Sequence, residues 1–87
     1  MNWNILANQF RTVVQFDNQT ELAKFVLLVA QLADQLDHHP DMEIKHCNEL
    51  SISVYSHDRQ KITQRDHKLV DRISELYKDW KTKKADE

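Results

Sequence analysis

Apolar and polar positions follow two different periods along this chain. Phe10, Thr12, Val14 and Phe16 alternate with polar or solvent-compatible neighbours, and the period of two predicts a strand with one buried face. Trp3, Asn4, Ile5 and Leu6 predict a short strand before it, with an Asn8-Gln9 break, so the opening reads as a hairpin. Beyond Asp17 the period changes. Leu22, Phe25, Val26, Val29, Leu32, Ala33 and Leu36 form one apolar stripe at helical spacing, and Asn18 followed three residues later by Glu21 matches a capping box. Pro40 restricts His39 to extended backbone and stops this helix near Asp37.

The second half repeats the same succession. Met42, Ile44 and His46, then Leu50, Ile52 and Val54, alternate with polar residues and predict two half-buried strands joined around Asn48-Glu49. Thr63 with Asp66 resembles a capping pair, and Leu69, Val70, Ile73, Leu76, Tyr77 and Trp80 carry a second amphipathic helix. Residues 1–80 therefore read as one domain and 81–87 as a polar, frayed C-terminal tail. The predicted class is α+β: a four-stranded, mostly antiparallel sheet with two helices on one face, in the order β-β-α-β-β-α.

Composition narrows the choice of function. Eighty-seven residues allow a single small core, and a formal net charge of −2 argues against a surface built to neutralise phosphates, so no direct nucleic-acid contact is expected. One cysteine, Cys47, excludes an intrachain disulfide. No long apolar run marks a signal peptide or membrane span, so no membrane association and a cytoplasmic location are expected. The chain contains no glycine, which excludes glycine-rich phosphate loops and dinucleotide fingerprints.

What chemistry remains centres on histidine. His38 and His39 stand at the exit of the first helix and His57 follows the last strand, so three imidazoles are available for proton transfer near neutral pH. Each also has a plainer reading: a solvated histidine at a helix C-terminus, where the dipole favours partial positive charge, or a turn residue before Asp58. Zinc is a rival ligand for His38, His39, His46, Cys47 and His57, but the spacing is not that of paired zinc ligands, and adjacent residues on a strand, as His46 and Cys47 are read, point to opposite faces. No metal is expected. Nothing in the sequence activates Cys47 as a nucleophile. His67 reads as a surface residue, and Tyr77 and Trp80 as core or subunit packing.

The run Asp34-Gln35-Leu36-Asp37-His38-His39-Pro40-Asp41, with His57-Asp58, Ile62-Thr63 and Asp66 following, resembles the pterin-4a-carbinolamine dehydratases. Phe25 to Pro40 is similar to that family's helix and corner, and the likeness extends from about Trp3 to Leu76. It implies an enzyme that converts 4a-hydroxytetrahydrobiopterin to quinonoid dihydrobiopterin by loss of water, without metal or organic cofactor. It implies catalytic roles for His38, His39 and His57, with Asp37, Pro40, Ser56 and Asp58 binding or orienting the pterin, Asp37 by holding an imidazole in its tautomer. Which histidine donates the proton stays open. Self-association as a dimer or tetramer is also implied, as is the alternative of a non-catalytic binding module that serves a protein partner. The chain departs from the pattern in three places. The family's usual N-terminal helix is expected to be lacking, His46 stands where an aromatic is usual with one extra residue near Cys47, and Lys61-Ile62-Thr63 replaces Gly-Leu-Thr.

Overall fold

The computed structural model describes residues 1–56 and 61–85 of the chain. Six elements follow one another: β1 (Asn4–Leu6), β2 (Gln9–Gln15), α1 (Gln19–Leu36), β3 (Asp41–Lys45), β4 (Glu49–Val54) and α2 (Gln64–Ala85). The strands form one sheet in the order β1-β2-β4-β3, with every neighbouring pair antiparallel. This is the expected α+β arrangement. The β2–β4 pairing sets Phe10 opposite Val54, Thr12 opposite Ile52 and Val14 opposite Leu50, so the buried residues of both central strands share one face. Both helices close over that face, because Leu22, Phe25, Val29 and Leu32 of α1 and Leu69, Val70 and Ile73 of α2 belong to the same core. Each such side chain removed from water contributes about 1.5–3 kcal/mol.

The first hairpin differs from its expected form. β1 buries none of its three residues, and Ile5 and Leu6 remain exposed. Its turn is Ala7-Asn8, both at positive φ (53° and 61°), and Gln9 already belongs to β2. Two consecutive left-handed residues match the right-handed twist of the flanking strands. Here they are formed without glycine. The packing role falls to Trp3 instead, whose indole meets Phe10 edge-on and donates to Ser74 Oγ at 2.8 Å.

The second hairpin is joined by His46, Cys47 and Asn48 rather than around Asn48-Glu49, since Glu49 already pairs with Lys45 and Gln15. His46 and Cys47 both have positive φ (53° and 62°), and the Asn48 amide donates to the His46 carbonyl at 2.8 Å. The pair is thus part of a tight turn and not of a strand. Asn48 secures the turn from outside: its Nδ2 donates to the Phe16 carbonyl at 3.0 Å and its own carbonyl accepts from the Phe16 amide at 2.9 Å.

The helix ends agree with their local signals. Asn18 Oδ1 accepts from the Glu21 amide at 2.9 Å, capping α1. Helix α2 does not fray after Trp80 but continues to Ala85. Lys84 near its end reaches Asp17 Oδ2 at 2.6 Å and Glu21 Oε1 at 3.9 Å, which fastens the C-terminal turns to the start of α1.

Candidate active site

Helix α1 ends at Leu36, four residues before Pro40, through Asp37 rather than through the proline itself. Asp37 adopts the left-handed conformation (φ 51°, ψ 41°), its amide donates to Asp34 O at 3.3 Å and the His38 amide to Ala33 O at 3.2 Å. This is the six-to-one and five-to-two pattern of a Schellman motif. The motif folds the chain back so that His38 enters the protein while His39, its neighbour, stays outside. A non-glycine residue in this conformation costs about 1–2 kcal/mol, least for Asn and Asp.

His38 is buried, and its Nε2 lies 2.6 Å from Oδ1 of Asp66, which has no exposed surface. Asp66 is in turn surrounded by donors. The Thr63 amide reaches Oδ2 at 2.8 Å, Ser56 Oγ lies 3.1 and 3.0 Å from the two carboxylate oxygens, and Thr63 Oγ1 is 2.9 Å from Ser56 Oγ. Ser56 is set beside the start of α2 by an isolated antiparallel bridge to Lys61. Among the described residues no buried side-chain nitrogen or oxygen lacks a partner. Burial alone pushes the Asp66 carboxyl upward, but the bonds from His38, Thr63 and Ser56, with the attraction of His38, outweigh it and hold the group below the usual aspartate range. An anionic Asp66 accepts from His38 Nε2–H, which leaves Nδ1 as the ring nitrogen outside this bond.

His39 has a different environment. Its Nε2 is 2.8 Å from Asp34 Oδ1, and both side chains are largely exposed (57% and 75%). The two adjacent histidines therefore each meet a carboxylate, one inside the protein and one at its surface. Neither carboxylate is Asp37, whose backbone closes helix α1. Pro40 is half-buried at the corner. Just beyond it, Asp41 Oδ2 accepts from Tyr55 Oη at 2.7 Å, tying β3 to the residue that follows β4 and pushing the Tyr55 phenol up through that hydrogen bond. His57 and Asp58 lie outside the described residues.

Ser56 acts on Asp66 in this geometry, one step behind His38. Asp66, Asp34 and Thr63 are the site residues that role assignment from sequence passed over. The signal for Asp66 was present in the Thr63–Asp66 capping pair, for its Oδ2 does accept from the Thr63 amide. Period and spacing do not reveal that its other oxygen holds a histidine 28 residues away. The remaining candidates are separate from this cluster. His46 and exposed Cys47 form the β3–β4 turn, and His67 is exposed with its ring edge-on to Phe10 at 5.1 Å. Among the described residues no three His, Cys, Asp or Glu side chains are grouped to hold a metal ion, and no helix is long and apolar enough to cross a membrane.

Comparison with known proteins gives the family of the chain. Residues 1–76 match the model of the family described as pterin 4 alpha carbinolamine dehydratase. The chain belongs to this family. A protein of Prochlorococcus marinus is 33% identical over 75 residues, covering 86% of this chain and 78% of that one. A protein of Acidobacterium capsulatum is 32% identical over 74 residues, covering 85% and 79%. Both carry the name "Putative pterin-4-alpha-carbinolamine dehydratase". The fold is shared with the crystal structure of a transcriptional coactivator/pterin dehydratase from Brucella melitensis, with TM-score 0.77, 20% identity, and 85% of this chain and 80% of that one covered. A pterin dehydratase-like protein identified as a RuBisCO assembly factor in the alpha-carboxysome is similar at TM-score 0.68 and 12% identity, covering 86% of each chain.

Proposed function

We propose that this protein is a cytoplasmic, self-associating lyase that dehydrates 4a-hydroxytetrahydrobiopterin to quinonoid dihydrobiopterin in pterin recycling, by histidine acid–base catalysis. The observation that carries the reading is the buried His38–Asp66 pair beside the exposed His39–Asp34 pair, within a chain of this family. The reaction removes the 4a-hydroxyl as water. A proton is delivered to the leaving oxygen, another is taken from the ring nitrogen, and that nitrogen's lone pair expels the hydroxyl. No net redox change occurs and no electron acceptor is needed.

His38 exchanges its proton at Nδ1, with Asp66 holding Nε2–H and so fixing the tautomer. His39 works at the solvent side, and His57, which follows Ser56 in sequence, completes the trio. Positioned acid–base groups of this kind contribute ~10²–10⁴-fold to such proton transfers. The test is a stopped-flow absorbance assay of 4a-hydroxypterin dehydration with the wild type, His38→Ala and His57→Ala. Acceleration by the wild type and its loss in both variants are expected; a wild type no faster than the uncatalysed reaction overturns the reading.

A second reading draws on the two similar structures, one of a coactivator/pterin dehydratase and the other of an assembly factor. In it the same fold is a non-catalytic dimerisation or assembly module for a protein partner. The same assay separates the readings, because a module of that kind leaves the dehydration rate unchanged.

A further inference from the structure

Far from His38 along the helices, the end of β2, the link that leads into α1 and the last turns of α2 enclose a cleft of about 470 Å³. Its apolar wall is made by Phe16, Tyr77 and Trp80. Phe16 is buried, while Tyr77 and Trp80 are half-buried, and both meet Phe16 edge-on at 6.5 and 6.4 Å. Lys81 and Lys84 line it as well, with Asp17 opposite. Tyr77, Trp80, Lys81 and Lys84 all come after residue 76, where the match to the family ends. Most of the cleft's lining thus lies outside the stretch matched to the family.

The charge around it is uneven. Residues 78–84 contain four lysines and one aspartate, in a chain whose formal net charge is −2. Asp17 is already taken: Lys84 lies 2.6 Å from it, and the bond and charge of Lys84 lower its carboxyl. Lys81, by contrast, has no carboxylate partner among the described residues. Its ammonium stands 5.4 Å from the centre of the Tyr77 ring. A half-exposed aromatic wall beside a lysine with no carboxylate partner favours a ligand that is apolar at one point and negative next to it. Lys84 is engaged by Asp17 and Glu21, but Lys78 and Lys81 stand one turn apart on the same helix without a carboxylate partner among the described residues, so they match carboxylates spaced along a peptide better than the single convergent anion of a small-molecule site.

We propose that this cleft binds an acidic peptide segment of a partner protein, seating one aromatic side chain against Tyr77 and Trp80 with flanking carboxylates near Lys81. The site is independent of the histidine cluster and of the dehydratase reading.

The experiment uses the full chain and a fluorescently labelled peptide of sequence Glu-Asp-Glu-Phe-Glu-Asp-Glu, read by anisotropy at low salt. Saturable binding is expected, weakened about tenfold when the peptide Phe is replaced by Ala and about tenfold or more in the Lys81→Glu protein. Lys68→Glu, an exposed change of the same charge on the far half of α2, is the control and is expected to bind as the wild type does. Trp80→Ala, checked for folding by circular dichroism, is expected to bind at least tenfold more weakly, and dehydratase activity of Lys81→Glu should equal that of the wild type. Absence of saturable binding overturns the proposal, as does equal weakening by Lys68→Glu and Lys81→Glu. Equal or tighter binding of single-stranded DNA or phosphatidylserine vesicles in competition also overturns it, because bare positive charge would then suffice.

Discussion

His38 Nε2 and Asp66 Oδ1 are 2.6 Å apart in the interior, and Asp66 also accepts from the N-cap amide of Thr63. One carboxylate therefore starts helix α2 and holds the histidine that follows helix α1. Asp66→Asn keeps the shape but removes the charge, so it is expected to cost about 1.5–3 kcal/mol, the worth of hydrogen bonds to a charged group. Dehydration should slow by ~10²–10⁴-fold, since the imidazole loses its fixed tautomer. Urea denaturation and the stopped-flow assay measure the two effects separately. Unchanged turnover in a folded Asp66→Asn protein would remove Asp66 from the mechanism.

The same carboxylate makes stability depend on acid. Its folded value lies below its unfolded value of about 3.9, so its contribution is fully present above that pH and is lost as pH falls through the lower folded value. Urea midpoints of wild type and Asp66→Asn should therefore differ at pH 7 and converge toward pH 3. Parallel curves over that range would contradict the linkage.

The two histidines should separate when each is removed. His38→Ala strips a buried carboxylate of its nearest partner and is expected to cost about 3–5 kcal/mol, a large share of the stability of a domain this size. His39→Ala breaks only an exposed pair and should cost about 0–1 kcal/mol. Both should lose activity, and thermal melts with parallel rate measurements distinguish them. A His39→Ala protein as unstable as His38→Ala would contradict the exposure of the His39–Asp34 pair.

Asp37 offers a test of backbone against side chain. Because it occupies the left-handed end of the Schellman motif, Asp37→Gly is expected to stabilise by about 0.5–1 kcal/mol, raising Tm by roughly 2–8 °C. Activity should stay within a few-fold of the wild type. A large loss of activity without loss of stability would instead give the Asp37 carboxylate a direct role in holding the pterin.

Local periodicity was enough to read the six elements, the capping of α1 at Asn18 and of α2 at Thr63, and the helix exit at Asp37. Those features rest on neighbours two to four residues apart, which the sequence displays directly. The turns were read less well, because without glycine nothing marks Ala7-Asn8 or His46-Cys47 as left-handed; the pairing of the strands on either side imposes it. The extent of α2 was missed for a similar reason. After Trp80 the sequence is polar, and the helix continues there with Lys84 fastened to Asp17 and Glu21, two residues distant in the chain.

For the site, the double histidine and its proline were legible from sequence, and so was their capacity for proton transfer. Their carboxylate partners were not. Asp34 lies five residues before His39 and Asp66 lies 28 after His38, and only the closing of both helices over one face of the sheet brings Asp66 to His38. The sequence by itself determined the elements and the reactive groups, through short-range pattern and the intrinsic chemistry of imidazole. Strand order, the burial of Asp66, and the cleft between β2 and the end of α2 were decided by tertiary structure, because each depends on how the whole apolar surface is most completely removed from water.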